Sequence, residues 1–327
     1  MVDTQFSDSR IAALYDLYCP WDARGDFTLY LPLVMAARSV LDVGCGTGAL
    51  LRRAREDGHT GRLCGLDPAT GMLEVARTRP DIEWILGDLT AAPDWDREFD
   101  LVVMTGHAFQ VLLDDAELRA ALTRIAAALT DRGSFAFEIR NPLVREWEDW
   151  RIRYSGEVVD PTGTVVHCAC EVETPVRGDR VAFTHTDTGP DWTVPHRSRS
   201  VLRFLAPDPL SRFLTEAGLV VSEQYGDWDR SPGQRLRIAL VAKNPVAAAV
   251  MRAQTASSVV RRMERPFPRN GGASCATPVG PPLTCRGPVS HPLGCHMDGR
   301  GRPRRGPGTP GTESRPAAPA GKSGRRD

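Results

Sequence analysis

The sequence is short of several things, and each shortage excludes something. Lysine is almost missing: Lys243 and Lys322 are the two copies beside 39 arginines. That bias most simply reflects a GC-rich coding sequence and carries no mechanism. No apolar run approaches the ~18 residues that a membrane-crossing helix needs, so no membrane partner is expected. The opening residues Met1-Val2-Asp3-Thr4-Gln5 lack the basic and apolar regions of a secretory signal, and the default expectation is a cytoplasmic chain. Cys-x-x-Cys occurs nowhere among the cysteines at 19, 45, 64, 168, 170, 275, 285 and 295. The spacings of zinc ribbons and redox dithiols are therefore absent, and no metal is expected. In a cytoplasmic setting the cysteines are thiols, and buried ones act as small apolar residues.

What is present suits a large core. The 327 residues are 41% apolar and 25% charged, enough for about two domain-sized units. A net charge of zero hides an asymmetry. Residues 1–251 hold 27 Lys+Arg against 37 Asp+Glu, and residues 252–327 hold 14 against 4. An acidic body disfavours nucleic acid as a partner, because the phosphate backbone demands a basic face. From Arg252 onward Pro, Gly, Arg, Ser and Ala dominate without helix or strand period, and aromatics almost vanish after Phe267. Such a stretch buries too little apolar surface to offset chain entropy. Residues 247–327 therefore read as a disordered, basic, Pro/Gly/Arg-rich tail. Its cysteines and histidines have no ligand pair at structural-zinc spacing.

Two helical stretches open the body, 11–18 behind the cap residues Ser7-Asp8-Ser9, and 26–37. Strands at 39–43, 62–66, 82–86, 99–104 and 134–139 then alternate with helices at 49–57, 71–78 and 115–129. This alternation predicts a parallel sheet covered by helices on both faces. Residues 150–205 switch to a period of two, with Val166, Cys168, Cys170 and Val172 on one face and turns at Asp160-Pro161-Thr162-Gly163 and Arg177-Gly178-Asp179. They read as an antiparallel insertion. His167 points opposite Cys168 and Cys170, so these residues and His185 do not converge on a metal. A helix at 208–217 and strands at 219–225 and 235–242 follow.

The strongest signal is Val40-Leu41-Asp42-Val43-Gly44-Cys45-Gly46-Thr47-Gly48. An apolar strand runs into a turn with glycine at alternate positions, and a helix follows. Glycine there lets a ligand approach the backbone where a Cβ would collide. The helix start adds open N–H donors. The spacing is G-x-G-x-G, one residue short of the G-x-G-x-x-G of dinucleotide binders. Asp67, 23 residues after Gly44, closes the second strand, where a carboxylate can accept both hydroxyls of a ribose. Asp67 alone leaves the cofactor open.

The stretch 41–48, with Gly65-Leu66-Asp67, Gly87-Asp88-Leu89 and Phe99-Asp100-Leu101-Val102-Val103-Met104, resembles the class I S-adenosylmethionine-dependent methyltransferases of small-molecule type. The motifs cover about residues 38–140; residues 205–243 match in topology only. The resemblance implies a doubly wound, seven-stranded Rossmann-like α/β sheet with S-adenosylmethionine as cofactor. It implies that Gly44, Cys45, Gly46 and Gly48 lie against the methionine part, that Asp42 orients the turn, and that Asp67 holds the ribose. It implies that Asp88 and Leu89 lie by the adenine. Pro68, Met72 and Thr105 complete the implied cofactor contacts. On this reading residues 1–37 form a helical lid, 38–149 and 206–246 the methyltransferase domain, and 150–205 a cap on the substrate pocket.

Methyl transfer needs alignment of the acceptor and, for a hydroxyl or ammonium, a base. His107, in Thr105-Gly106-His107-Ala108 after the fourth strand, is the candidate base, with packing or a loop hydrogen bond as the alternative. Tyr15, Tyr18, Trp21 and Arg140 are substrate candidates; packing on the sheet, or a charge pair with Glu138 or Glu146, is their alternative. The expected acceptor is the nitrogen or oxygen of a small metabolite. Asn-Pro-Pro-Tyr and Asp-Pro-Pro-Tyr, the arrangement of enzymes acting on nucleic-acid bases, are missing after the fourth strand. A cofactor-binding regulator without catalysis and a nucleic-acid methyltransferase aided by the tail are the alternatives.

Overall fold

The structure, a computed structural model, describes residues 2–190, 192–232 and 237–243, with two paired two-residue strands, Val289–Ser290 and His296–Met297. The expected disordered tail at 247–327 otherwise lies outside the described residues. Three helices come first: α1 (Thr4–Ser7), α2 (Ser9–Tyr18) and α3 (Phe27–Ala36). Asp8 starts α2 by accepting the backbone N–H groups of Arg10 and Ile11, donors that a helix otherwise leaves open.

Strands and helices then alternate: β1 (Ser39–Val43), α4 (Ala49–Glu56), β2 (Arg62–Asp67), α5 (Thr70–Ala76), β3 (Glu83–Leu86), β4 (Phe99–Met104), α6 (Asp115–Ala128) and β5 (Leu129–Arg140). Asp114 and Glu117 cap the start of α6 reciprocally. After α7 (Trp150–Arg153), four antiparallel strands form a separate sheet: β6 (Gly156–Val159), β7 (Val165–Val172), β8 (Arg180–Thr188) and β9 (His196–Arg203). Then α8 (Pro207–Glu216), β10 (Val220–Tyr225) and β11 (Arg237–Lys243) return to the main sheet.

The main sheet has seven strands in the order β10-β11-β5-β4-β1-β2-β3. Only β11 runs against its neighbours. The chain winds from β1 toward β3, then returns to place β4 on the other side of β1. Ligands of open α/β sheets sit outside the strand carboxyl ends at such a reversal. The core follows the period of two. Leu41, Val43, Val102, Met104, Phe135 and Phe137 pack on one face with α6 and α8. Val40, Leu63, Leu101, Val103 and Ala136 pack on the other with α3 and α4. Phe109, Phe135 and Phe137 stack with centroids 4.3 and 4.5 Å apart, a geometry that adds to their area burial.

Several details depart from the sequence reading. The fifth strand begins at Leu129 rather than 134, because its first residues pair with Phe99 before a register shift. The insertion opens with a helical turn, not a strand. Trp147 and Trp150 anchor its apolar core with Tyr154, Cys170, Val181, Phe183 and Phe204. Cys45, Cys64, Cys168 and Cys170 are free and buried, whereas Cys19 is disulfide-bonded, against the all-thiol expectation. Among the described residues no helix is long and apolar enough to cross a membrane, and no cluster of side chains fits a metal ion.

Candidate active site

A cavity of about 180 Å³ opens at the sheet reversal. Its floor is the glycine turn: Gly44, Cys45, Gly46 and Thr47 line it, with Asp67, Pro68, Ala69 and Met72 beside them. Gly44 and Gly46 have φ of +74° and +56°, values that L side chains rarely adopt. A Cβ on Gly46 would meet nothing closer than 4.0 Å, so its bare backbone faces open cavity. Gly48 serves a different purpose. It lies outside the lining, and a Cβ there would stand 2.3 Å from the Trp84 ring; its role is close packing.

Asp67 ties the turn together. One carboxylate oxygen accepts the Gly46 N–H at 2.8 Å and the other the Ala69 N–H at 2.8 Å. Burial pushes its carboxyl up, and these two backbone donors pull it back. An ionised carboxylate accepts about four hydrogen bonds, so two lone-pair sites stay open toward the cavity. Asp42 lies under the turn, 1% exposed. Burial raises its carboxyl to about 7, with nearby Arg24 opposing. Its Oδ1 has no hydrogen-bond partner.

His107 lines the opposite wall. It sits in the left-handed region at φ +65°, held there by its N–H donating to Glu138 Oε1 at 2.8 Å. Its Nδ1 stands 3.7 Å from the same oxygen. Tyr30 donates its hydroxyl to Glu138 Oε2. Glu138 is fully buried, an acidic residue amid the apolar run of β5. That charge in an apolar strand is a sequence signal, although in the sequence alone Glu138 stands only as one possible partner of Arg140, beside Glu146. Arg24 also lines the cavity, gripped by Asp26 at 3.1 and 2.5 Å; neither residue was foreseen.

The roof comes from far along the chain. Phe6 and Tyr15 of the N-terminal helices and Phe183, Ser200 and Leu202 of the insertion line it. Gln5 accepts none of this by chance of sequence: its N–H donates to Ser198 Oγ at 3.1 Å and its amide to Ser200 Oγ at 3.2 Å. Asp16 of α2 fixes the lid helix to the turn, accepting from Thr47 Oγ1 at 2.7 Å and pairing with Arg52 at 2.6 Å. Burial pushes the Tyr15 hydroxyl up to about 12, so it stays protonated.

The remaining expected residues fall outside the cavity lining. Asp88 is exposed and caps its own loop, accepting from Thr90 and Ala91. Leu89 is buried in the core. Tyr18 donates to Asp187 at 3.3 Å, and Trp21 lies on the surface under Arg53. Arg140 is the clearest departure. It is fully buried, paired with Glu146, bonded to Gln110 Oε1 at 3.1 Å and set over the Trp150 ring. A guanidinium placed at the end of an apolar strand and matched this way is structural, because leaving one buried partner alone is costly.

Comparison with known proteins agrees with this geometry. A family model described as a methyltransferase domain matches residues 40–133. The chain is 31% identical over 188 residues to 2-phytyl-1,4-naphtoquinone methyltransferase of Thermosynechococcus vestitus, covering 53% of this chain and 80% of that protein. It is 29% identical over 233 residues to glycine/sarcosine N-methyltransferase of Parasynechococcus marenigrum, covering 66% and 76%. Its fold matches the CcbJ methyltransferase from Streptomyces caelestis with a TM-score of 0.58 at 20% identity, over 74% of this chain and 99% of that one. The chain belongs to the class I S-adenosylmethionine-dependent methyltransferases.

Proposed function

We propose that the protein methylates a nitrogen or oxygen of a small metabolite, with His107 as the base. S-adenosylmethionine is the cofactor, and when bound it supplies a methyl group already activated by a positive sulfonium. The residues present fit it. Gly46 leaves bare backbone for close approach, Gly44 makes the turn at a positive φ against Ala108, and Asp67 keeps two acceptor sites for ribose hydroxyls.

The observation that carries the reading is that His107 and the glycine turn line one cavity. Glu138 fixes the His107 backbone and stands at its Nδ1 side, and Tyr30 anchors Glu138. A carboxylate so placed favours the imidazolium that forms when His107 takes the acceptor's proton. Arg24 and Asp26 neutralise each other at the cavity wall. The lid at 1–37 and the insertion at 150–205 exclude water, which strengthens every electrostatic contact inside. The relatives named above carry activities on a quinone and on glycine or sarcosine in their names, which supports a small acceptor.

The test is release of S-adenosylhomocysteine from a panel of small amines and alcohols. Turnover on at least one, lost in His107→Ala, supports the reading. Tight cofactor binding with no turnover on any would favour the non-catalytic alternative.

A further inference from the structure

Beside Tyr15 and Cys45, whose protons burial holds on, four acidic or basic side chains line the cavity, and three of them are already committed. Arg24 is closed by Asp26. Asp67 holds the glycine turn. His107 is fixed against Glu138. The fourth is Asp3, which lines the same cavity. It occupies the N-cap of α1, yet its side chain makes no cap hydrogen bond. That is unusual use of a residue type favoured for capping. Instead the carboxylate turns to the insertion and accepts the Ser200 hydroxyl on Oδ2. Among the described residues no cation forms an ion pair with it; the charges that act on it are the chain's amino terminus and, more weakly, Arg199, which is held by Glu173 at 2.6 Å. Phe6, Tyr15 and Phe183 line the same space. A carboxylate with open lone pairs beside aromatic faces favours a compact cation.

We propose that Asp3 receives a protonated amine of the methyl acceptor, so that the substrate class is a small alkylamine with an apolar body. This rests on the reading of the cavity as the site of methyl transfer. The gap between Asp3 and its partner residues in sequence is spanned by the roof, so the lid and the insertion together build the amine site. Gln5 supports it by donating to Ser200, which in turn donates to Asp3.

The full-length chain saturated with S-adenosylhomocysteine is titrated with benzylamine, protonated at neutral pH, and with benzyl alcohol. The expected result is at least tenfold tighter binding of benzylamine, abolished in Asp3→Asn and retained in Asp3→Glu, which keeps the charge. Equal affinity for the two probes, binding of neither, or a preference that survives Asp3→Asn overturns the proposal. So does a loss of S-adenosylhomocysteine affinity in Asp3→Asn, because Asp3 would then serve the cofactor's own amino group. Failure of the wild-type chain to bind S-adenosylhomocysteine at all is a separate result, and it overturns the reading of the cavity itself.

Discussion

The two ends of the cavity are built by different means. The floor, where we place the cofactor, is made of residues close in sequence: Gly44 to Thr47 after the first strand, and Asp67 at the end of the adjoining one. The roof, where we place the acceptor, is made of residues far apart, with Asp3 and Ser200 separated by 197 positions and Gln5 and Ser198 by 193. The floor is set by backbone conformation, which glycine spacing announces. The roof is set by side-chain hydrogen bonds between two elements that nothing local connects. A binding surface that a whole family uses for one cofactor belongs naturally on the first kind of scaffold. A surface that selects an acceptor belongs on the second, where loops and insertions change freely.

Substitutions at the two ends should therefore separate affinity from turnover. The largest effect is expected at His107. His107→Ala should lower kcat about 10²–10⁴-fold, with S-adenosylhomocysteine affinity unchanged by calorimetry. A variant with normal turnover would remove the base from the account. Arg140→Ala should behave oppositely to a substrate residue. It strands Glu146 in the core and should cost about 3–5 kcal/mol of stability by urea unfolding. A fully stable variant with a raised KM would return Arg140 to the substrate site.

Asp42 offers a pH-dependent test. Burial raises its folded-state carboxyl from the ordinary carboxylate range to about 7. A raised acid contributes stability below its unfolded value and loses it as pH climbs through the folded one. The ligand-free Asp42→Asn chain escapes that loss. It should gain on the wild type between pH 5 and pH 8, by at most about 3 kcal/mol. An equal difference at both pH values would contradict the burial argument. The smallest effect is at the lid clamp. Thr47→Val removes the hydrogen bond to Asp16 and should cost about 1 kcal/mol, with faster hydrogen exchange confined to α2. Faster exchange throughout the sheet would show that the clamp does more than hold the lid.

Alternation of strands and helices was enough to predict the sheet, and the period of two was enough to separate the insertion from it. Both depend on local pattern, which a single sequence displays. Asp67, Gly44, Gly46, Pro68, Met72, Thr105 and His107 could be placed because each ends or follows a recognisable strand. Gly48 misled because a packing glycine and a ligand glycine look alike; only Trp84 distinguishes them. For Arg140 the sequence allows a substrate role or a pair with Glu138 or Glu146; the pair with Glu146 is the one found, buried rather than solvated, and Gln110 joins it through a helical turn that no local pattern marks. Asp3, Arg24, Asp26 and Tyr30 were missed because nothing near them in sequence marks an inward charge or hydroxyl. Glu138 is marked by its place between Phe137 and Ile139, but the sequence offers it only as one of two possible partners of Arg140, whereas its partners in the fold are His107 and Tyr30.

The account stands most directly on the cavity floor. Calorimetric titration of S-adenosylhomocysteine into the wild-type and Asp67→Ala chains measures it. The predicted result is a loss of about 1–3 kcal/mol in the variant, from two hydrogen bonds to a charged acceptor, while Asp3→Asn binds like the wild type. Unchanged affinity in Asp67→Ala would contradict the placement of the cofactor on this turn.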